Sequence, residues 1–425
     1  MKKWNDVYQM VKNGDLDASL LKTGCENLKA ARERATHVME GFKESFGATE
    51  DTMVALCSAP GRTEICGNHT DHQHGRVLAA AVNLDFLACV ALNGTSVHFQ
   101  SEGWPMTSVD LADLEVKDEE KETTASLIRG VLSKLHKAGY PVAGFDMYVT
   151  STVLPGSGLS SSAACEVLIG TTGNHLFCQD KFDAVEIAKI GQAAENEYFG
   201  KPCGLMDQTA SSVGDAVAID FKDPANPIVR SINADLTGLG LALCIIDCGA
   251  DHAALTNEYA SIPEEMSKVA AHFGKKVLRE VKEEDLLADL AQVRKEAGDR
   301  AVLRALHFYA DDRRAAEEAD ALERKDKEAF LNLVKESGRS SWELLQNITP
   351  AAAITHQDMA VALAVAEKAL NGKGACRVHG GGFAGTIQAF VPVEDVCEFK
   401  KTMEIMLSEG CCHVLSIRPA GGLIL

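Results

Sequence analysis

Val153-Leu154-Pro155-Gly156-Ser157-Gly158-Leu159-Ser160-Ser161-Ser162-Ala163-Ala164 is the stretch that decides the reading of this chain. Before it runs Asp146-Met147-Tyr148-Val149-Thr150-Ser151-Thr152, whose alternation predicts a half-buried strand. After it, Ala163-Ala164-Cys165-Glu166-Val167-Leu168-Ile169 has no breaker and good helix formers. Strand, glycine-serine loop and helix together make a phosphate cradle. Free backbone N–H groups and the positive end of the helix dipole face the loop, and glycines let a ligand come close to the backbone. Serine hydroxyls add donors to phosphate oxygens and a hard oxygen for a magnesium ion. Gly156, Ser157, Gly158, Leu159, Ser160, Ser161 and Ser162 are therefore the candidate phosphate-contacting residues. No lysine follows the glycines, so this is not the loop that ends in Gly-Lys-Ser/Thr. Taken alone, the stretch fits a Ser/Gly turn capping an ordinary helix equally well. Two distant motifs decide between the readings.

Upstream lies Ala59-Pro60-Gly61-Arg62-Thr63-Glu64-Ile65-Cys66-Gly67-Asn68-His69-Thr70-Asp71-His72. Downstream lies Arg377-Val378-His379-Gly380-Gly381-Gly382-Phe383-Ala384-Gly385-Thr386, followed by an expected strand, Ile387–Val391. In order and separation the three motifs resemble the signatures of the GHMP kinase superfamily. The upstream motif is most similar to the galactokinase branch, whose pattern there is Gly-Arg-Val-Asn-Leu-Ile-Gly-Glu-His-Thr-Asp. Gly200-Lys201-Pro202-Cys203-Gly204-Leu205-Met206-Asp207-Gln208 and Arg418-Pro419-Ala420-Gly421-Gly422-Leu423-Ile424-Leu425 resemble the same branch. The resemblance covers the chain from the fifties onward. It implies an α+β fold, with an S5-like N-terminal domain, a ferredoxin-like C-terminal domain and the active site in the cleft between them.

Composition agrees with a large soluble enzyme. The chain has 425 residues and 46% hydrophobic content, enough for a sizeable core and two domains. A formal net charge of −19 argues against a nucleic-acid surface, which would show a basic stripe. The 13 cysteines are scattered and form no C-x-x-C framework, so reduced thiols in a cytosol are the expectation. Met1-Lys2-Lys3-Trp4-Asn5-Asp6 lacks the apolar core of a signal peptide, and no apolar run is long enough for a membrane span. A cytoplasmic protein is expected, with small molecules as partners, no nucleic acid or membrane, and a monomeric or weakly oligomeric state.

Along the chain, a helix is predicted over Glu26–Phe46 and strands over Val77–Val82 and Phe86–Leu92. Residues 109–122 are acidic and read as a surface segment, followed by a helix at Ala125–Ala138. Helices are expected at Ala163–Phe177 and Asp183–Phe199, the latter stopping before Gly200. The turn-rich Phe221–Pro227 is the expected domain boundary, giving domains over 1–225 and 226–425. Charged helices fill Glu264–Leu345, and Met359–Leu370 and His413–Ile417 are read as helix and strand. The segregated helices and strands suggest α+β layering.

The resemblance also implies roles. Moving a phosphoryl group from ATP to a hydroxyl needs positioning, Mg2+, donors around the transferring group, and a carboxylate to orient or accept the proton. Asp207 matches the family's catalytic aspartate, and Arg62 the arginine beside it, suited to phosphate oxygens and to lowering the pKa of Asp207. Glu195, twelve residues before Asp207, matches the magnesium-binding glutamate. Ser161 is the expected hydroxyl partner of that ion, with Ser160 and Ser162 as alternatives. Asn68, His69, Asp71, Gly204 and Tyr259 fall on sugar-contacting positions, Tyr259 through a softer match in Asp251–Tyr259. The implied activity is that of an ATP-dependent sugar 1-kinase, galactose being the first expectation.

Three departures bear on the substrate. Asn68 replaces a glutamate that contacts the sugar's C6 hydroxyl. A carboxylate there would oppose a 6-carboxylate sugar by about 4 kcal/mol at about 4 Å in an effective dielectric of about 20. Its absence admits galacturonate, and Asp71-His72-Gln73 is similar to galacturonokinases. Thr124 and Leu127 stand on the helix where galactokinases carry a Trp and a Tyr beside adenine. Pro155 is displaced by one position, and Ala384 replaces a glycine. Two other classes fit the sequence less well. The run Asn68–His74 is rich in His and Asp, yet its spacing matches no zinc helix motif. A catalytically silent sugar and ATP sensor would lose residues from the Ser-Ser-Ser-Ala-Ala run, which is intact.

Overall fold

The computed structural model describes residues 1–153, 158–249 and 255–425, with only the backbone of Thr256. Its strands are β1 (Lys2–Lys3), β2 (Met53–Cys66), β3 (Arg76–Leu92), β4 (Ser96–Ser101), β5 (Thr107–Asp110), β6 (Phe145–Ser151), β7 (Ala216–Asp220), β8 (Ile228–Ile232), β9 (Leu241–Asp247), β10 (Ala375–Val378), β11 (Thr386–Pro392), β12 (Cys412–Leu415) and β13 (Leu423–Ile424). Among the described residues, nine of them form a sheet of order β1-β2-β3-β6-β4-β5, with β13 on β2, β7 on β3 and β8 on β7. The other four form an antiparallel sheet, β10-β11-β9-β12.

Period-2 alternation explains the first sheet's layers. Val54, Leu56, Leu87, Cys89 and Tyr148 point to one face, where they bury the helix Leu28–Phe46 through Val38, Met39 and Phe42. Their neighbours Ala55, Cys57, Ala88, Val90, Met147 and Val149 point to the other, against the helices Thr124–Lys137 and Ser161–Phe177. The second sheet is built alike. Cys244, Ile246, Ile387 and Ala389 meet the helices Asp358–Leu370 and Val396–Met406. Leu243, Ile245 and Phe390 face a core shared with Ile65, Leu78 and Val82 of the first sheet. That common core seats β2 against β10 and β11. Among the described residues no helix is long and apolar enough to cross a membrane.

The observed α+β layering matches the sequence reading, with two differences. Where two strands were expected between Val77 and Leu92, β3 is continuous: its first half pairs with β7 and its second with β6. The loop Phe221–Pro227 is not a passage between sheets. It closes the β7–β8 hairpin, with Asn226 N–H donating to the Asp223 carbonyl at 3.0 Å. The chain reaches the second sheet only at Leu241, so a boundary at 225/226 falls inside a paired hairpin.

Candidate active site

The site forms where β2 of the first sheet meets β10 and β11 of the second, Arg377 donating to the Ile65 carbonyl and Gln388 to Thr63 Oγ1. The pairing of β2 with β3 shifts register between Pro60 and Arg62 and again between Glu64 and Cys66. Such bulges re-aim the residues they flank. Gly61 is required here, because a Cβ would lie 2.8 Å from the Leu159 carbonyl oxygen. The close approach lets Arg62 N–H donate to that carbonyl at 3.0 Å. The Arg62 guanidinium then makes a bidentate pair with Asp207, Nε to Oδ1 at 2.7 Å and Nη2 to Oδ2 at 2.6 Å, while Nη1 donates to the Gly158 carbonyl.

Burial would raise the Asp207 carboxyl, but the charge and hydrogen bonds of Arg62, with help from Ser160, hold it below its ordinary value. Ser160 itself sits at φ 57° just before the helix Ser161–Phe177. A left-handed non-glycine at this junction is backbone strain held by its surroundings. Gly158, Leu159 and Ser160 are thus gathered at the arginine–aspartate pair. Gly156 and Ser157 lie outside the described residues.

Behind this pair is a buried carboxylate cluster. The helix Ala184–Ala194 continues into a π-helical turn, Glu195–Phe199, a local widening common at functional sites. Glu195 is 1% exposed; its Oε1 accepts from the Ser162 hydroxyl at 2.9 Å and from Lys201 Nζ at 3.2 Å, and its Oε2 from Gln208 Nε2 at 2.8 Å. The hydroxyl that meets Glu195 is therefore Ser162's, not that of the exposed Ser161. Gln208 also donates to Glu166 Oε2 at 2.9 Å, and Glu166 Oε1 is buried with no hydrogen-bond partner among the described residues. Burial first, and then the Glu195 charge, pushes the Glu166 carboxyl well up. Hard carboxylate and hydroxyl oxygens suit Mg2+.

On the far side, the segment after β2 wraps onto the glycine turn. His69 Nε2 lies 3.0 Å from the Gly381 carbonyl, and the Tyr259 hydroxyl donates to the Gly382 carbonyl at 2.9 Å. Because a carbonyl only accepts, Nε2 carries the proton and Nδ1 is left as an acceptor. Burial lowers the His69 pKa to about 3, so the ring is neutral, and raises that of Tyr259 to about 12. Asp71 abuts Gly204 so closely that a Cβ there would be 2.0 Å from Asp71 Oδ2. His69 (φ 61°) and Phe383 (φ 60°) are left-handed, like Ser160. On the helix Thr124–Lys137, Thr124 is half-buried and Leu127 buried.

The structure corrects the reading of Asn68. This side chain is wholly buried, and its hydrogen-bonding capacity is consumed within the protein. Nδ2 donates to Glu64 Oε1 at 3.0 Å and the Gly380 carbonyl at 2.6 Å; Oδ1 accepts from Asn347 Nδ2 at 2.7 Å and the Ser341 hydroxyl at 3.3 Å. A primary amide offers two donors and two acceptor lone pairs, so none remains for a sugar.

Residues that the motif reading passed over complete the site. Glu64 is 3% exposed, its Oε1 shared by Asn68 and by Arg377 Nη2 at 3.2 Å. Burial pushes its carboxyl up to about 7, against the pull of Arg377 and Arg62. His379, the residue before the glycines, bridges Thr63 Oγ1 at 3.1 Å and Thr386 Oγ1 at 2.8 Å. Glu64 had a visible signal, since the galactokinase pattern carries Asn at its position. Gln208 had none beyond closing the Gly200–Gln208 motif, and Glu166, just past the serine loop, had none. In the His/Asp run the His69 and His72 rings stack with centroids 5.9 Å apart, yet among the described residues no three His, Cys, Asp or Glu side chains assemble as a metal site.

Comparison with known proteins agrees with this geometry. Residues 126–215 match the model of the GHMP kinases N-terminal domain, and residues 40–92 match the galactokinase galactose-binding signature. The chain is 31% identical over 374 residues to a galactokinase of Glaesserella parasuis, covering 85% of this chain and 90% of that protein. It is also 31% identical over 368 residues to a galactokinase of Streptomyces coelicolor, covering 86% and 91%. Among solved structures, the Lactococcus lactis galactokinase complexed with galactose superposes with a TM-score of 0.77 at 25% identity, over 91% of this chain and 98% of that one. Identity of this order along nearly the whole length of both relatives places the chain in the galactokinase family, with the GHMP kinase fold.

Proposed function

We propose that the protein is an ATP-dependent galactose 1-kinase that works by direct in-line phosphoryl transfer. One observation carries the reading: the bidentate Arg62–Asp207 pair is seated against the Gly158–Ser160 turn at the N-terminus of a long helix. The helix N-terminus and the serine loop offer N–H and O–H donors to the phosphates of ATP. Arg62 reaches the transferring group's oxygens while holding Asp207 ionised.

As the C1 oxygen bonds to the γ-phosphorus and the bond to the ADP oxygen breaks, the hydroxyl proton passes to Asp207. A low-pKa carboxylate suffices, because the proton is released only as the new O–P bond forms. The neutral His69, with Nδ1 free to accept, and Asp71 against Gly204 would align the sugar hydroxyls. Ser162 and Glu195 have the donor chemistry to hold Mg2+, which when bound neutralises charge on the β- and γ-phosphates. The intact bonding of Ser162 and Asp207 favours catalysis over a silent sensor. We place its action in the cytoplasm, on small molecules alone.

A coupled ADP-release screen over galactose, galacturonate, galactosamine, N-acetylgalactosamine and arabinose tests the proposal. Galactose should give the highest kcat/KM, and EDTA should abolish turnover. Folded protein that releases no ADP with any sugar would overturn it.

A further inference from the structure

The galactokinase pattern has Asn four residues before its Glu. In this chain the two are exchanged, Glu64 standing first and Asn68 second, and their side chains touch. The exchange conserves one carboxylate and one amide in the same contact while moving the charge along β2. Asn68 is closed to ligands by its four internal hydrogen bonds. Glu64 is not. Only its Oε1 is engaged, by Asn68 and Arg377, and Oε2 has no hydrogen-bond partner among the described residues. It follows Arg62 by two positions in an unbroken stretch of register, Arg62 on Ala81 and Glu64 on Ala79, so both project from the same side of β2. The charges that bear on it are those of Arg377, Arg62, Asp71 and Asp311; Arg62 is paired with Asp207, and Asp71 abuts Gly204.

We infer that Glu64, through Oε2, is the residue that selects the substituent at C6 of the sugar, accepting a hydrogen bond from a C6 hydroxyl and rejecting a C6 carboxylate. This rests on the galactose 1-kinase reading and deepens it: position 68 no longer admits galacturonate, because the carboxylate has been moved rather than removed. A sugar lacking the C6 hydroxyl leaves Oε2 unpaired on binding, and a 6-carboxylate sugar sets like charges against each other.

The test measures kcat/KM of the full-length protein, at about pH 8 where Glu64 is ionised, for galactose, 6-deoxygalactose and galacturonate. Wild type should prefer galactose to both others. Glu64→Gln should lose about 10- to 100-fold on galactose and little on 6-deoxygalactose, narrowing the gap between them. Asn68→Glu should also lose activity, since it sets a second carboxylate against Glu64 Oε1. The double exchange Glu64→Asn/Asn68→Glu, which restores the family order, should recover at least about tenfold over Asn68→Glu alone. If Glu64→Gln shows no thermal transition, that recovery carries the same test. Galactose turnover with sugar ratios unchanged in Glu64→Gln, or a double exchange no better than Asn68→Glu, overturns the inference alone. A wild type that prefers galacturonate also overturns it. Turnover of none of the three sugars by wild type overturns the kinase reading and this inference together.

Discussion

In the proposed mechanism the Arg62–Asp207 ion pair serves position and protonation at once. With its pKa held below the ordinary value, Asp207 stays ionised across the neutral range, so no acid limb between about pH 5 and 7 in the kcat profile should trace to it. Asp207→Asn and Arg62→Ala should each lower kcat by about 10²- to 10⁴-fold with the fold retained, measured by single turnover alongside circular dichroism. The stability sign follows from the same shift. A depressed folded pKa contributes stability that is present above the unfolded value and is lost as pH falls through the folded one. The Tm deficit of Asp207→Asn relative to wild type should therefore be larger at about pH 7 than at about pH 3. An equal deficit at both would mean that Asp207 is not held low.

At the scale of elements, close backbone approaches position the site. Gly204→Ala would set a methyl 2.0 Å from Asp71 Oδ2, so either the loop before the helix Met206–Val213 or the Asp71 turn must shift. A displacement of this size can cost about 10²-fold. Sugar KM should rise while ATP KM holds, and equal effects on both substrates would count against a local displacement.

Most elements were legible because periodicity and helix stops act locally: the helices Leu28–Phe46, Thr124–Lys137 and Asp358–Leu370 lie close to where the pattern predicts them. Turn chemistry is equally local but ambiguous. Asp-Pro-Ala-Asn-Pro serves a hairpin as well as a linker, and only the β7–β8 pairing tells which. The motifs name candidate residues without their wiring. That Ser162 meets Glu195, and that Asn68 is sealed by Ser341 and Asn347, depend on partners 33, 273 and 279 positions away. No window of sequence contains them.

At the scale of the molecule, the segment near residue 420 stitches the first sheet shut. Arg418 is wholly buried and donates to Asp85 Oδ2 and the Ser58 hydroxyl at 2.8 Å each, and to the carbonyls of Ala420 and Gly421. Removing one partner of a buried ion pair costs about 3–5 kcal/mol. Arg418→Ala should therefore depress Tm by several degrees or more, with Asp85 left to Arg34, as differential scanning calorimetry would show. A Tm within about a degree of wild type would mean that this contact is dispensable.

The same stitch has a consequence for how the protein is made. β13 pairs with Cys57 and Ser58 of β2, and Arg418 reaches Ser58 across 360 positions of chain. At about 5–20 residues per second, translation leaves that flank of β2 uncovered for roughly 20–70 s, with exposed hydrogen-bonding groups able to recruit a stranger's strand. Growing chains crowded on one messenger would meet this hazard together. The yield of native protein should then depend on holdase capacity and on translation speed more than on the equilibrium strength of the finished fold.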